Sequence, residues 1–191
     1  MIEIEMKEKG LIKRLTDKTF KLDPRIGEGY YSANYFLKSR EIVSKFAPGH
    51  VVVEQWFQRR DDSMLCGVDE CLAVLRKFAS HPEDLEVYAL NDGDHIDANE
   101  PVLKVKGRYE DFGFLESLLD GILARRSSVA TNTMLAVRAL RGARTFSMAD
   151  RQDDYLTQPG DGYATYVGGI KAFSTDAQGA WVGKKGMGTM P

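Results

Sequence analysis

The chain has 191 residues, 43% of them hydrophobic and 28% charged, with a formal net charge of -2. That composition suits a globular protein with one sizeable core, or a small domain plus part of a second. A slightly acidic balance argues against a general binder of nucleic acid or anionic membrane, which needs a basic excess, and no apolar run approaches the roughly 20 residues of a membrane span.

The first 30 residues are charged and weakly patterned. Asp23-Pro24 and Gly27-Glu28-Gly29 break any regular element there. An aromatic cluster, Tyr30 to Phe36, leads into a charged segment that ends at Pro48-Gly49. Val51 to Phe57 is β-branched and aromatic, so it reads as a strand. Val68, Cys71, Leu72, Leu75 and Phe78 follow helical spacing and predict a helix over 67–79. Cys66 and Cys71 lie in that stretch with poor geometry for a disulfide. No clustered histidine accompanies them to suggest zinc. Two unpaired thiols and an acidic start without a signal-peptide plan fit a reducing cytoplasm.

Leu85 to Leu90 and Glu100 to Gly107 predict two strands joined through a turn at Asn91-Asp92-Gly93-Asp94, a small antiparallel β unit. From Phe112 the period becomes helical, through Leu115, Leu119, Ile122 and Leu123. Ser127-Ser128 reads as an interruption, with Ser128 capping a second helix that Gly142 closes. Thr145 to Met148 reads as a short strand, Gly162 to Ile170 as a helix, and the remainder is glycine-rich. The fold class is α/β: a mixed α+β domain over 1–112, then helix and the first strand-helix units of a barrel over 113–191.

The candidate chemistry lies in 144–191. In parallel α/β folds, ligands meet the carboxyl ends of strands. Arg151 stands at such an end and can grip an anion in two places. Pairing with Asp150, Asp153 or Asp154 is the ordinary alternative. Gly168-Gly169 and Gly186-Met187-Gly188-Thr189 offer backbone N–H groups, and Ser174, Thr175 and Thr189 offer hydroxyls, toward phosphate. Asp150, Asp153, Asp161 and Asp176 are candidates for a magnesium ion held on phosphates, and equally for a solvated face. Tyr30, Tyr31, Tyr35 and Phe36 suit either ring stacking or packing. No dinucleotide fingerprint, P-loop or nucleophile elbow occurs.

The order of motifs carries a resemblance. Tyr88-Ala89-Leu90, Gly93 and Glu100 to Tyr109 resemble the β-rich amino-terminal domain of nicotinate phosphoribosyltransferases. Leu115 to Leu119 and Ser128 to Thr133 resemble the helical segment shared with quinolinate phosphoribosyltransferases. Thr145 to Arg151, Asp161 to Ala164, Gly168-Gly169, Phe173 to Ala177 and Gly186 to Pro191 resemble the start of their irregular α/β barrel.

The resemblance implies transfer of phosphoribosyl from 5-phosphoribosyl 1-diphosphate to nicotinate, giving nicotinate mononucleotide and pyrophosphate for NAD synthesis. Mg2+ would arrive on the pyrophosphate. Many members also couple ATP hydrolysis through a phosphorylated histidine, so ATP is a candidate cofactor. A homodimer with shared sites is implied. By this match Tyr35 stacks on the base, in the partner's site, and Met148 replaces a second stacking aromatic. Arg151 meets the substrate anions, and Thr189 lies near the base. In the family a histidine and most of the barrel follow the Gly-Thr motif, so the resemblance implies an amino-terminal fragment that is incomplete as an enzyme. Quinolinate transfer and a non-catalytic module of the same fold are the alternatives.

Overall fold

A computed structural model describes residues 4–5 and 12–188. It is a mixed helix-and-sheet structure, as expected. The sheet has four strands in the order β1 (Ile4–Glu5), β4 (Glu86–Ala89), β6 (Leu103–Arg108), β2 (Val51–Trp56). β6 is antiparallel to both of its neighbours, and β1 runs parallel to β4. β6 alternates cleanly: Leu103 and Val105 are buried, while Lys104, Lys106 and Arg108 turn outward. A small second sheet pairs β3 (Ser63–Met64) with β5 (His95–Ile96). The expected strand-turn-strand unit is therefore present, but its connection detours through β5.

Two helices cover the sheet. α2 (Val68–Phe78) buries Val68, Cys71, Leu72, Val74 and Leu75, close to the expected helix. Its amino end is capped from a distance: the Val68 N–H donates to Asp92 Oδ1 at 2.8 Å, from the turn after β4. Both cysteines are buried thiols, and burial pushes their pKa values well up.

α1 (Asn34–Phe46) was not expected. Its apolar pattern is thin: Phe36 is buried, whereas Ile42 and Phe46 face outward. Tertiary bonds fix its start, where the Ala33 N–H donates to Ser117 Oγ at 3.1 Å and Ser32 Oγ donates to the Phe114 carbonyl.

Beyond α3 (Tyr109–Phe112) lies α4 (Glu116–Ala139), one continuous helix of 24 residues. The expected break at Ser127-Ser128 is absent, and Ser128 caps nothing. Ser127 turns into the protein instead. Its hydroxyl accepts from the Cys66 N–H at 3.1 Å and donates to the Cys66 carbonyl at 3.0 Å. One turn on, Thr131 Oγ1 accepts from the Met64 N–H at 3.0 Å. Two hydroxyls on the helix thus bond the backbone of Met64 and Cys66, while Leu65 between them pairs with Gly93 and Asp94. Arg141 and Gly142 take left-handed backbone just past the helix end.

α4 also joins two cores. Leu119, Ile122 and Leu123 pack with the sheet and α2. Ala130 and Met134 pack with Tyr163, Ala164 and Val167 of α5 (Gln158–Val167). The expected strand at 145–148 reduces to one parallel bridge, Ser147 to Phe173. α5 connects these two segments, so a single β-α-β unit is present. A short α6 (Asp176–Gly179) follows it. α5 begins four residues before the expected start, and Gly162 lets it lie on α6: a Cβ there would come within 2.1 Å of the Gln178 carbonyl. No helix among the described residues is long and apolar enough to cross a membrane.

Two outcomes follow from this packing. Ser127→Ala leaves the buried N–H and C=O of Cys66 without their partner and should cost about 1–3 kcal/mol in denaturant unfolding. Asp92 is fully buried and lies near Asp69, and these push its carboxyl up to about 7 from 3.8. The folded state then holds a proton between pH 4 and 7 that the unfolded chain releases, so Asp92 makes stability fall as pH rises through that window. Asp92→Asn should flatten the fall in Tm between pH 4 and 7. An unchanged slope would show that Asp92 is ionised throughout.

Candidate functional site

The carboxyl ends of the two parallel segments form a connected polar group. The Ser147 N–H donates to the Ala172 carbonyl and the Ser174 N–H donates back to the Ser147 carbonyl, both at 2.9 Å. This pairing carries residues 148–151 and 174–176 out at the same end. There Ser174 Oγ lies 3.0 Å from Asp150 Oδ1 and 3.0 Å from Gln178 Oε1. Thr175 caps α6 in a capping box with Gln178, and its hydroxyl donates to Gln158 Oε1 at 2.9 Å.

Arg151 sits at the edge of this group. Its side chain is 82% exposed, and its nearest carboxylate contact is Asp150 at 3.4 Å. The guanidinium is therefore open to solvent with most of its five donors facing water. Met148 is half-exposed on the same segment. The structure thus brings together Met148, Arg151, Ser174 and Thr175 from the predicted set.

Gly168 and Gly169 stand elsewhere, at the far end of α5 against α4. A Cβ on Gly168 would lie 2.5 Å from the Ala130 carbonyl, and Gly169 has a φ of +116°. Helix packing and a turn account for both. Gly188 is exposed with open space around it. Thr189 lies outside the described residues.

The four aspartates offered for magnesium are dispersed. Asp161 is held by Arg125 Nη2 at 2.7 Å and Arg126 Nη1 at 3.1 Å, and Asp153 by Arg125 at 2.6 Å. Asp176 accepts from the Gly186 N–H. Among the described residues no group of three metal-ligating side chains converges. Asp150 stays at the strand ends, with a partly exposed carboxylate.

Tyr35 lies in a different place, in the first turn of α1. Its ring is 61% exposed and 4.0 Å from that of Phe36. Partial desolvation of its phenol, then the charges of Glu116 and Asp120 nearby, raise its pKa. Glu54 joins this acidic edge. It pairs opposite Val105 on the core side of the sheet, and Oε2 is buried without a hydrogen bond. Burial, then the charges of Glu116 and Asp120, push its carboxyl up to about 7.

Sequence reasoning missed Gln178, Gln158 and Ser147. One signal was readable: Thr175-Asp176-Ala177-Gln178 has the spacing of a capping box. The ion-pair network of Glu70, Arg126, Asp161 and the more exposed Arg125, which ties α2, α4 and α5 together, left no such signal.

Residues 35–127 match the family model for the quinolinate phosphoribosyl transferase N-terminal domain. Solved structures agree over a longer span. Nicotinate-nucleotide pyrophosphorylase from Pyrococcus furiosus superposes with a TM-score of 0.80 at 27% identity, over 90% of this chain and 45% of that one. Human nicotinic acid phosphoribosyltransferase gives 0.72 at 19% identity, over 84% of this chain and 39% of that one. Nicotinate-nucleotide pyrophosphorylase from Francisella tularensis gives 0.56 at 18%, over 81% of this chain and 55% of that one. The chain thus spans about half, or less, of the proteins it resembles. The last two likenesses establish the fold alone.

Proposed function

We propose that this chain forms the first part of an enzyme that transfers phosphoribosyl from 5-phosphoribosyl 1-diphosphate to nicotinate, in NAD biosynthesis. The observation that supports phosphoribosyl transfer is the superposition on the Pyrococcus furiosus nicotinate-nucleotide pyrophosphorylase across 90% of the chain. By its name, that protein acts on nicotinate nucleotide, which transfer to either nicotinate or quinolinate would form.

The chemistry suits the strand-end group. Substitution at the ribose anomeric carbon passes through a cationic sugar, while negative charge gathers on the departing pyrophosphate. A protein contributes by holding the reactants in line and by meeting that charge with preorganised donors. Arg151 has donors free to grip a phosphate or carboxylate. Ser174 adds a hydroxyl, and Asp150 fits as one carboxylate toward a magnesium ion brought by the diphosphate. When bound, that ion would neutralise part of the leaving charge.

Tyr35 is exposed and remote in contacts from the strand ends. It is therefore suited to reach the base in a second subunit, and a homodimer with shared sites belongs to the same proposal. Placement in a reducing cytoplasm rests on the two buried, unpaired thiols. Quinolinate is the second reading, favoured by the family model over 35–127 and by the Pyrococcus furiosus structure.

The test is pyrophosphate release by the complete protein with magnesium, the diphosphate donor and either acid, with and without ATP. Turnover of nicotinate is expected. Turnover of quinolinate alone, with loss of carbon dioxide, would transfer the assignment to the second reading. Arg151→Ala should lower kcat/KM on the order of 10²-fold, with Tm unchanged because the side chain is exposed.

A further inference from the structure

Gln178 is 1% exposed and spends its whole carboxamide on the ends of the two parallel segments. Oε1 accepts from the N–H groups of Ser174 at 3.2 Å and Thr175 at 3.3 Å, and faces Ser174 Oγ at 3.0 Å. Nε2 donates to Ser147 Oγ at 3.3 Å, across to the first segment. The two backbone N–H donors fix which end of the amide is oxygen. A capping box needs only the bond to the Thr175 N–H. The contacts to Ser147 and Ser174 are additional, and they join residues 31 and 4 positions away in sequence.

We propose that Gln178 is a positioning residue that sets the register of Asp150, Arg151 and Ser174 toward the anionic substrate. This inference rests on the function proposed above. Gln178 touches no reacting atom. It acts by locking both segment ends, so that Asp150 and Arg151 leave the first segment beside Ser174 on the second.

The Ser174 hydroxyl makes the coupling specific. It carries one proton and faces two acceptors at equal distance, Gln178 Oε1 and Asp150 Oδ1. With the proton toward Gln178, Asp150 keeps its full charge for a cation. With the proton toward Asp150, that carboxylate is held by the hydroxyl. Removing the glutamine acceptor gives the proton to Asp150 alone and leaves the segment ends held only by their backbone pairing at Ser147. A misplacement of about 1 Å in such a site costs on the order of 10²-fold in rate.

The experiment compares Gln178→Leu and Gln178→Glu in the complete protein, by steady-state kinetics with nicotinate and the diphosphate donor across pH. Amide exchange at Ser174 and Thr175 is followed alongside. Gln178→Leu should lose about tenfold to hundredfold in kcat/KM and exchange faster at both amides. In Gln178→Glu the introduced carboxyl, while protonated, has the shape, acceptor and donor of the carboxamide. Activity should therefore recover on the acid side and fall as that carboxyl ionises beside Asp150. A merely structural glutamine would not create this new pH limb.

Wild-type kcat/KM in Gln178→Leu would overturn the proposal. If that variant does not fold, a Gln178→Glu profile parallel to wild type would overturn it. If the wild-type protein turns over neither acid, the functional reading fails. The exchange data then decide separately: faster exchange at Ser174 and Thr175 upholds the lock, and unchanged exchange removes it.

Discussion

Two hydroxyls on one helix hold this structure together. Ser127 and Thr131 lie one turn apart on α4, and both face the backbone of residues 64–66. That stretch leaves β3 and enters α2, so its peptide groups are buried where a sheet neighbour would otherwise be needed. The hydroxyls supply partners for Met64 and Cys66, residues 93 and 94 supply them for Leu65, and buried peptide groups without partners are costly. The same contact fixes α4 in rotation and in height. Its first half then meets the sheet core and its second half meets α5.

The charged interior follows from this placement. With α4 fixed, Arg126 reaches Glu70 on α2 and Asp161 on α5, while Arg125 closes on Asp161 and Asp153. Asp92 lies between α2 and α5, accepting from the Val68 N–H and from the Tyr163 hydroxyl at 3.0 Å. The carboxylates of Glu70, Asp153 and Asp161 all answer α4, and Asp92 joins α2 to α5. The β-α-β unit is thereby held at a set distance from the sheet, and its strand ends with Asp150, Ser174 and Gln178 are free of that ion-pair network. Charge inside the protein is used for assembly, whereas Arg151 at the strand end stays open to solvent.

The legible parts were those whose pattern is set by burial on one face. β6 alternates, α2 repeats at helical spacing, and the antiparallel unit around Asn91–Asp94 followed from both. The missed parts depend on distant partners. Ser127-Ser128 looks like a break because serine favours caps, yet Ser127 is bonded to a residue 61 positions away. α1 buries little, so its sequence shows no clear stripe, and Ser117 secures its start. Within the site, Arg151 was readable from its place at a strand end, whereas Ser174 and Thr175 were read only as hydroxyls in a glycine-rich stretch, since no strand was expected before them. Gly168 and Gly169 looked like a phosphate turn because close helix packing selects the same residue. For Gln178 the capping-box spacing was readable, but its bond to Ser147 became visible only when the two segments were brought side by side.

The claim on which the rest depends is that α4 is unbroken and pinned at its centre. Hydrogen exchange on the amides of residues 121–134 tests it directly. The account predicts continuous protection with its maximum across Ser127 to Thr131, where the helix is held on both sides by buried contacts. Rapid exchange confined to the amides of Ser128 to Thr131, flanked by protected stretches, would mean two helices meeting at the serine pair, and would contradict it.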